Sequence, residues 1–215
     1  AGAISVQNAV ASAVSVGGKN VRALRMTKYS LVNSLAPPGK KLDGILGTDF
    51  LKHFYVKINF REKELTLTET VAKTKTKPLP FIMDNGIPRI KTVLNGKVHT
   101  FLRYDSGSSL FDTKDVYINV TAGIWNKLCN LDSATNTGRF LTATGIGGEI
   151  KLPVGKIKEI DLSGYHFNSD VFIICQPSKG YFARAGAVGF FGNNLLEKFQ
   201  EVAFDFKEKK LYIFH

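Results

Sequence analysis

Two stretches of this chain match each other at a fixed spacing, and few folds accommodate such a duplication. Gly44-Ile-Leu-Gly-Thr-Asp-Phe-Leu-Lys-His-Phe54 leads into Lys57-Ile-Asn-Phe-Arg-Glu-Lys-Glu-Leu-Thr-Leu67. Gly189-Phe-Phe-Gly-Asn-Asn-Leu-Leu-Glu-Lys-Phe199 leads into Val202-Ala-Phe-Asp-Phe-Lys-Glu-Lys-Lys-Leu-Tyr-Ile213. The offset is 145 residues and becomes 146 after one insertion. Each copy predicts an apolar strand entering Gly-x-x-Gly, one short amphipathic helix, and a hairpin turned at Asn/Asp-Phe-Arg/Lys-Glu-Lys. A repeat of whole structural units implies two related lobes, with short helices expected only after Gly47 and Gly192.

Upstream of each copy the resemblance is looser. Val14–Val21 and Ile157–Phe167 both predict two strands around a turn. The second half extends further back, through the hairpin Pro88–Leu102 with Asn95-Gly96 as its two-residue turn. No counterpart of that hairpin precedes the first copy. The stretch Thr68–Pro80, rich in Thr, Lys and Pro, lacks apolar periodicity and reads as a linker. The division expected is therefore 1–69, a linker at 70–79, and 80–215. Twenty glycines, sixteen phenylalanines and many short apolar runs favour a mostly β chain. No run is long enough for a membrane span, and apolar Ala1–Ala13 lacks the basic start of a targeting segment.

The net charge is +11, from 29 Lys and Arg against 18 Asp and Glu. The lysines are scattered without a basic stripe interleaved with aromatics, so solvated strand edges are expected and a nucleic-acid partner is not. Cys129 and Cys175 lack metal-ligand spacing; they stand as two thiols or one disulfide, and the compartment stays open with an extracytoplasmic one slightly favoured. His53, His99, His166 and His215 are dispersed, as surface or packing residues are.

Chemistry concentrates in Phe101-Leu-Arg-Tyr-Asp-Ser-Gly-Ser-Ser109, where an apolar strand runs into a carboxylate in a tight, hydroxyl-lined turn. About forty residues on comes the glycine-rich hairpin Thr144-Gly-Ile-Gly-Gly-Glu-Ile150, and about eighty on comes Gly189-Phe-Phe-Gly. In this order these segments resemble the catalytic loop, flap and post-flap strand-to-helix element of retropepsin-like and pepsin-like aspartic proteases. Residues 80–215 resemble one complete lobe, and residues 1–69 the back half of another. The resemblance implies an acid-protease fold of two pseudo-symmetric, barrel-like β lobes, the first incomplete.

It also implies an endopeptidase that cuts peptide or unfolded protein with no metal and no cofactor. Asp105 would be one of two carboxylates that share a proton and activate water. Gly107 lets the backbone fold tightly behind the carboxylate, Ser106 reaches to the partner loop, and Ser108 restrains Asp105. Gly145, Ile146, Gly147 and Gly148 form the flap tip over the substrate. Phe190 and Phe191 replace the family's usual aliphatic pair and are expected to pack behind Asp105.

Only one Asp-Ser-Gly is present. Asp43, Asp49 and Asp84-Asn85-Gly86 lie in the wrong contexts to be the second acid. That acid is expected from outside this chain, from a separate N-terminal fragment or from a second copy pairing through Asp105. A pseudo-protease that binds extended peptides without cutting them remains the alternative of another class. These 215 residues alone, as monomers, are expected to hydrolyse nothing.

Overall fold

The computed structural model describes residues 6–28, 41–70, 74–108, 115–145 and 148–214. It is mostly β. The strands are β1 (Gln7–Val16), β2 (Lys19–Lys28), β3 (Tyr55–Asn59), β4 (Glu64–Thr68), β5 (Leu79–Asp84), β6 (Ile87–Leu94) and β7 (Val98–Tyr104). They continue as β8 (Tyr117–Thr121), β9 (Thr135–Gly145), β10 (Gly148–Leu162), β11 (Tyr165–Gln176), β12 (Gly189–Phe191), β13 (Glu201–Asp205) and β14 (Lys210–Phe214). The helices are α1 (Thr48–Leu51), α2 (Ala122–Asn130) and α3 (Asn193–Leu196), with a 3-10 turn at Gly180–Ala183.

Strands β6, β7, β12, β8, β11 and β10 pair in that order, and β10 returns to β6 through Ile160↔Leu94. This closes a six-strand barrel, which leaves its members no raw inner edge. Ile90, Leu94, Leu102, Ile118, Val120, Ile157, Ile160, Leu162, Ile173 and Phe191 fill it, all essentially inaccessible to water. Each such side chain contributes roughly 1.5–3 kcal/mol through its removal from solvent.

The two repeated segments meet each other directly. Strand β3 pairs antiparallel with β13 through Ile58↔Val202, Lys57↔Ala203 and Val56↔Phe204. Shifting each residue by the 146-residue repeat turns the first of these pairs into the third, so the two copies face one another across a local twofold at Lys57 and Ala203. The turns also agree. The Asn59 Oδ1 accepts from Glu62 N–H at 2.9 Å, as the Asp205 Oδ1 does from Glu208 N–H at 2.9 Å. Lys63 and Lys209, equivalent in the repeat, both adopt positive φ (57° and 54°).

Two local expectations change. The β6–β7 connection has three residues, Asn95–Lys97, because Leu94 pairs with Val98. The Asn95 side chain is committed elsewhere, accepting from the N–H groups of Lys158 and Glu159 and donating to the Ser133 carbonyl. Helix α2 was not expected. Its signal is Thr121, whose Oγ1 accepts from Ile124 N–H at 3.3 Å, with Ile124 and Leu128 one turn apart on the core side.

Cys129 and Cys175 are free, half-buried thiols. Burial first, and then Cys129, pushes the Cys175 thiol up, which disfavours the thiolate a nucleophile needs. Among the described residues no helix is long and apolar enough to cross a membrane.

Candidate active site

Strand β7 delivers Asp105 to the end of the barrel. Its Leu102 is buried, and β12 lies parallel beside it through Gly189↔Leu102, Phe190↔Arg103 and Phe191↔Tyr104. The next N–H, that of Asp105, donates to the Phe191 carbonyl at 2.9 Å. The chain then turns back: Ser108 N–H donates to the Asp105 carbonyl at 3.0 Å, and Gly107 N–H donates to Asp105 Oδ1 at 3.0 Å. Asp105, Ser106 and Gly107 are exposed and Ser108 is half-buried. The carboxylate is therefore oriented by backbone while facing solvent.

Glycines make the close approaches behind this loop possible. A Cβ on Gly189 would lie 2.1 Å from the Asn119 backbone oxygen, and one on Gly192 would lie 1.9 Å from the Ser108 oxygen. With those side chains absent, β12 wedges between β7 and β8, and α3 starts directly beneath the catalytic-type turn. Asn194 Nδ2 then donates to the Tyr117 carbonyl at 3.1 Å, tying α3 to β8 on the far side of the turn.

Side chains that sequence reasoning did not single out hold the loop. The Tyr104 hydroxyl donates to Asn193 Oδ1 at 2.6 Å, and its ring stacks on Phe204 at 4.9 Å and leans on Phe191 at 5.6 Å. Burial, then the negative charge of Asp105 and of Glu197, pushes the Tyr104 hydroxyl well above the ordinary phenol range, so it remains a donor. Asn119 Nδ2 donates to the Ser108 hydroxyl at 3.3 Å, while Asn119 Oδ1 accepts from Gln176 Nε2 at 2.7 Å. The available signal was a buried polar residue inside the apolar run Tyr117–Val120, which demands partners.

Of the other residues singled out, Phe191 is buried behind Asp105 as expected, and Phe190 packs on Phe182 at 5.8 Å. The flap segment is a hairpin in which Gly145 pairs with Gly148; Ile146 and Gly147 lie outside the described residues. Near its root an open cleft of about 210 Å³ is lined by Tyr117, Arg139, Phe140, Leu141, Phe172 and Ile174. Of the three acids weighed as a second partner, Asp84 lies 3.5 Å from Arg89, Asp49 accepts from Phe50 N–H at 3.0 Å, and Asp43 is exposed beside Lys41 at 3.6 Å.

No family model matches the chain, and no curated protein matches it. Among solved structures it is similar to the crystal structure of a retropepsin-like aspartic protease from Rickettsia conorii, with 20% identity and a TM-score of 0.43. That match covers 67% of this chain and 97% of the other. It is also similar to EIAV protease complexed with the inhibitor HBY-793, with 17% identity and a TM-score of 0.33, covering 60% and 93%. The geometry agrees with the fold expected from the sequence: a closed β barrel, a strand ending in Asp-Ser-Gly, and a parallel strand that turns through glycine into a helix behind it.

Proposed function

We propose that this chain supplies one catalytic half of an aspartic endopeptidase, with Asp105 as one carboxylate of a proton-sharing pair and the second carboxylate contributed from outside the chain. The observation that carries it is the exposed Asp105 carboxylate, held by Gly107 N–H in a turn that β12 and α3 brace from behind. Two carboxylates held about 3 Å apart cannot both ionise, so one proton is shared between them. The ionised member takes a proton from water as that water attacks the scissile carbonyl, and the protonated member donates to the carbonyl oxygen. The β9–β10 hairpin, with glycines at its tip, is suited to cover an extended substrate and pair with its backbone.

The local twofold favours a partner other than a second copy of the chain. The β13 edge, where an equivalent unit would pair, is already taken by β3 of the same chain. A homodimer through Asp105 would need a different axis. The test is Asp105→Asn in the assembled protein. Cleavage of an unstructured protein should follow a bell-shaped pH profile that reports the pair's two macroscopic pKa values, and the variant should cleave nothing. Retained activity in the variant removes Asp105 from the mechanism. Peptide binding without cleavage in the assembled protein identifies a pseudo-protease.

A further inference from the structure

Strand β7 carries more than Asp105 on its outer side. Side chains alternate along a strand, and Leu102 is buried in the barrel, so Arg103 and Asp105 share the opposite face. Cross-strand partners share a face too, which puts Arg89 of β6 and Phe190 of β12 on either side of Arg103. The 3-10 turn Gly180–Ala183 lies against them. The Arg103 guanidinium carbon is 4.4 Å from the centre of the Tyr181 ring, and Phe182 stacks on Phe190 at 5.8 Å. The Tyr181 hydroxyl accepts from Val188 N–H at 3.2 Å, which fixes the turn against the approach to β12.

Two arginines directly opposite each other on antiparallel strands repel. Asp84 lies 3.5 Å from Arg89, whose guanidinium also sits 4.8 Å from the centre of the Phe101 ring. Arg103 has no such carboxylate. Among the described residues it makes no ion pair, and its Nε, like that of Arg89, is buried without a hydrogen-bond partner. The segment beside it adds no acid, since residues 177–196 carry Lys179 and Arg184 and no Asp or Glu.

A planar guanidinium held on an aromatic face, with a buried N–H and no counter-charge, is suited to take a carboxylate through paired N–H donors. Arg103 stands two residues, roughly 7 Å of strand, from Asp105, so a side chain attached beside the scissile bond reaches it.

We infer that Arg103, stacked on Tyr181 and flanked by Phe190, selects substrates with an acidic side chain, Glu or Asp, at a position flanking the scissile bond. The inference rests on the function proposed above, in which Asp105 marks where the bond is cut. Arg103 determines specificity and takes no part in the proton transfers. Tyr181, Phe182 and Phe190 shield the pair from water, so a substrate amide in place of the carboxylate leaves the Arg103 charge uncompensated.

The test is a set of fluorogenic peptides cleaved by the assembled protein, with Glu, Asp, Gln or Lys placed on one side of the scissile bond at a time. At one of the two positions Glu should raise kcat/KM over Gln by about tenfold or more. Arg103→Met should bring this ratio to about one, Arg103→Lys should restore part of it, and Arg103→Glu should turn the preference toward Lys. Each ratio is taken within one variant, so partial unfolding cancels from it. A Glu moved about five residues from the bond should gain less than about twofold, whereas general attraction to a chain of net charge +11 would favour both placements alike. Equal rates for Glu and Gln at both positions, or a ratio that survives Arg103→Met, overturn the subsite. Where no peptide is cleaved, the function proposed above fails by itself, and fluorescence anisotropy with the same Glu and Gln peptides decides the subsite. Tighter binding of the Glu peptide that is lost in Arg103→Met supports it, and equal binding overturns it.

Discussion

Replacing Gly192 by alanine puts a Cβ 1.9 Å from the backbone oxygen of Ser108, at a φ of −106° that any residue adopts. Replacing Gly47, its counterpart in the repeat, puts a Cβ 2.7 Å from the side-chain Oδ1 of Asp49, at a φ of −87°. Both changes stiffen the unfolded chain alike, so comparing them isolates the contact made in the folded state. At Gly192 the obstacle is backbone, and the turn carrying Asp105 must retreat by roughly an ångström or more, because real Cβ contacts do not fall below 3.0 Å. Overpacking of that kind costs about 3 kcal/mol. At Gly47 the Asp49 carboxylate is the end of a side chain that can rotate away, and Phe50 N–H, from which it accepts, keeps the Gly47 carbonyl at 3.1 Å, so the cost should stay below about 1 kcal/mol. Urea denaturation followed by the single Trp125, which packs against Gly155, reads the difference. With a slope of about 1–3 kcal/mol per molar, Gly192→Ala should lower the midpoint by about 1 M or more, and Gly47→Ala should lower it by less. Equal midpoints would refute the claim that close approach behind the loop, rather than helix capping, is why Gly192 is there.

Leu211→Ala should destabilise by about 2–5 kcal/mol through a core cavity, whereas Leu65→Ala at the equivalent exposed position should change stability by less than about 0.5 kcal/mol; paired denaturation curves check this. Tyr104→Phe leaves Asn193 Oδ1 without its 2.6 Å donor and should cost about 1–3 kcal/mol by the same assay, with no change in net charge. Burial, then Tyr212, Glu201 and Asp205, raises the Tyr55 pKa from 10.0 to about 12. The protonated phenol's contribution is thus complete below pH 10 and is lost as pH rises through about 12. Circular dichroism with tyrosinate absorbance should therefore show unfolding in that alkaline window, and should show it later in a Tyr55→Phe variant.

What was legible in the sequence follows from how locally each feature is encoded. The duplication could be seen in part because the Asn/Asp-Phe-Arg/Lys-Glu-Lys turn is a short-range solution, fixed by the Asn or Asp side chain and a positive φ within a few residues. Asp105 could be placed at a strand end because Leu102 and the Ser-Gly turn adjoin it. The supports of that loop were not legible. Asn119, Gln176 and Asn193 reach Ser108, Asn119 and Tyr104 across separations of 11, 57 and 89 residues, and no local pattern reports such pairings. Asn95 shows the same limit, since contacts with Lys158 and Glu159 accompany a three-residue connection in place of the two-residue turn its sequence predicts. Helix α2 escaped because nine residues with one buried leucine give a weak periodic signal beside the apolar strand that precedes them.

The most direct measurement is the cleavage rate of an unstructured, fluorogenic polypeptide by the chain alone, by the assembled protein, and by the assembled protein carrying Asp105→Asn, each across pH. With one carboxylate there is no partner to share a proton, so the chain as a monomer should hydrolyse nothing. The assembled protein should give a bell-shaped profile, and its Asp105→Asn form should be silent at every pH. Cleavage by a proven monomer of the chain alone, or an Asp105→Asn variant of the assembled protein as active as its parent, would contradict the account.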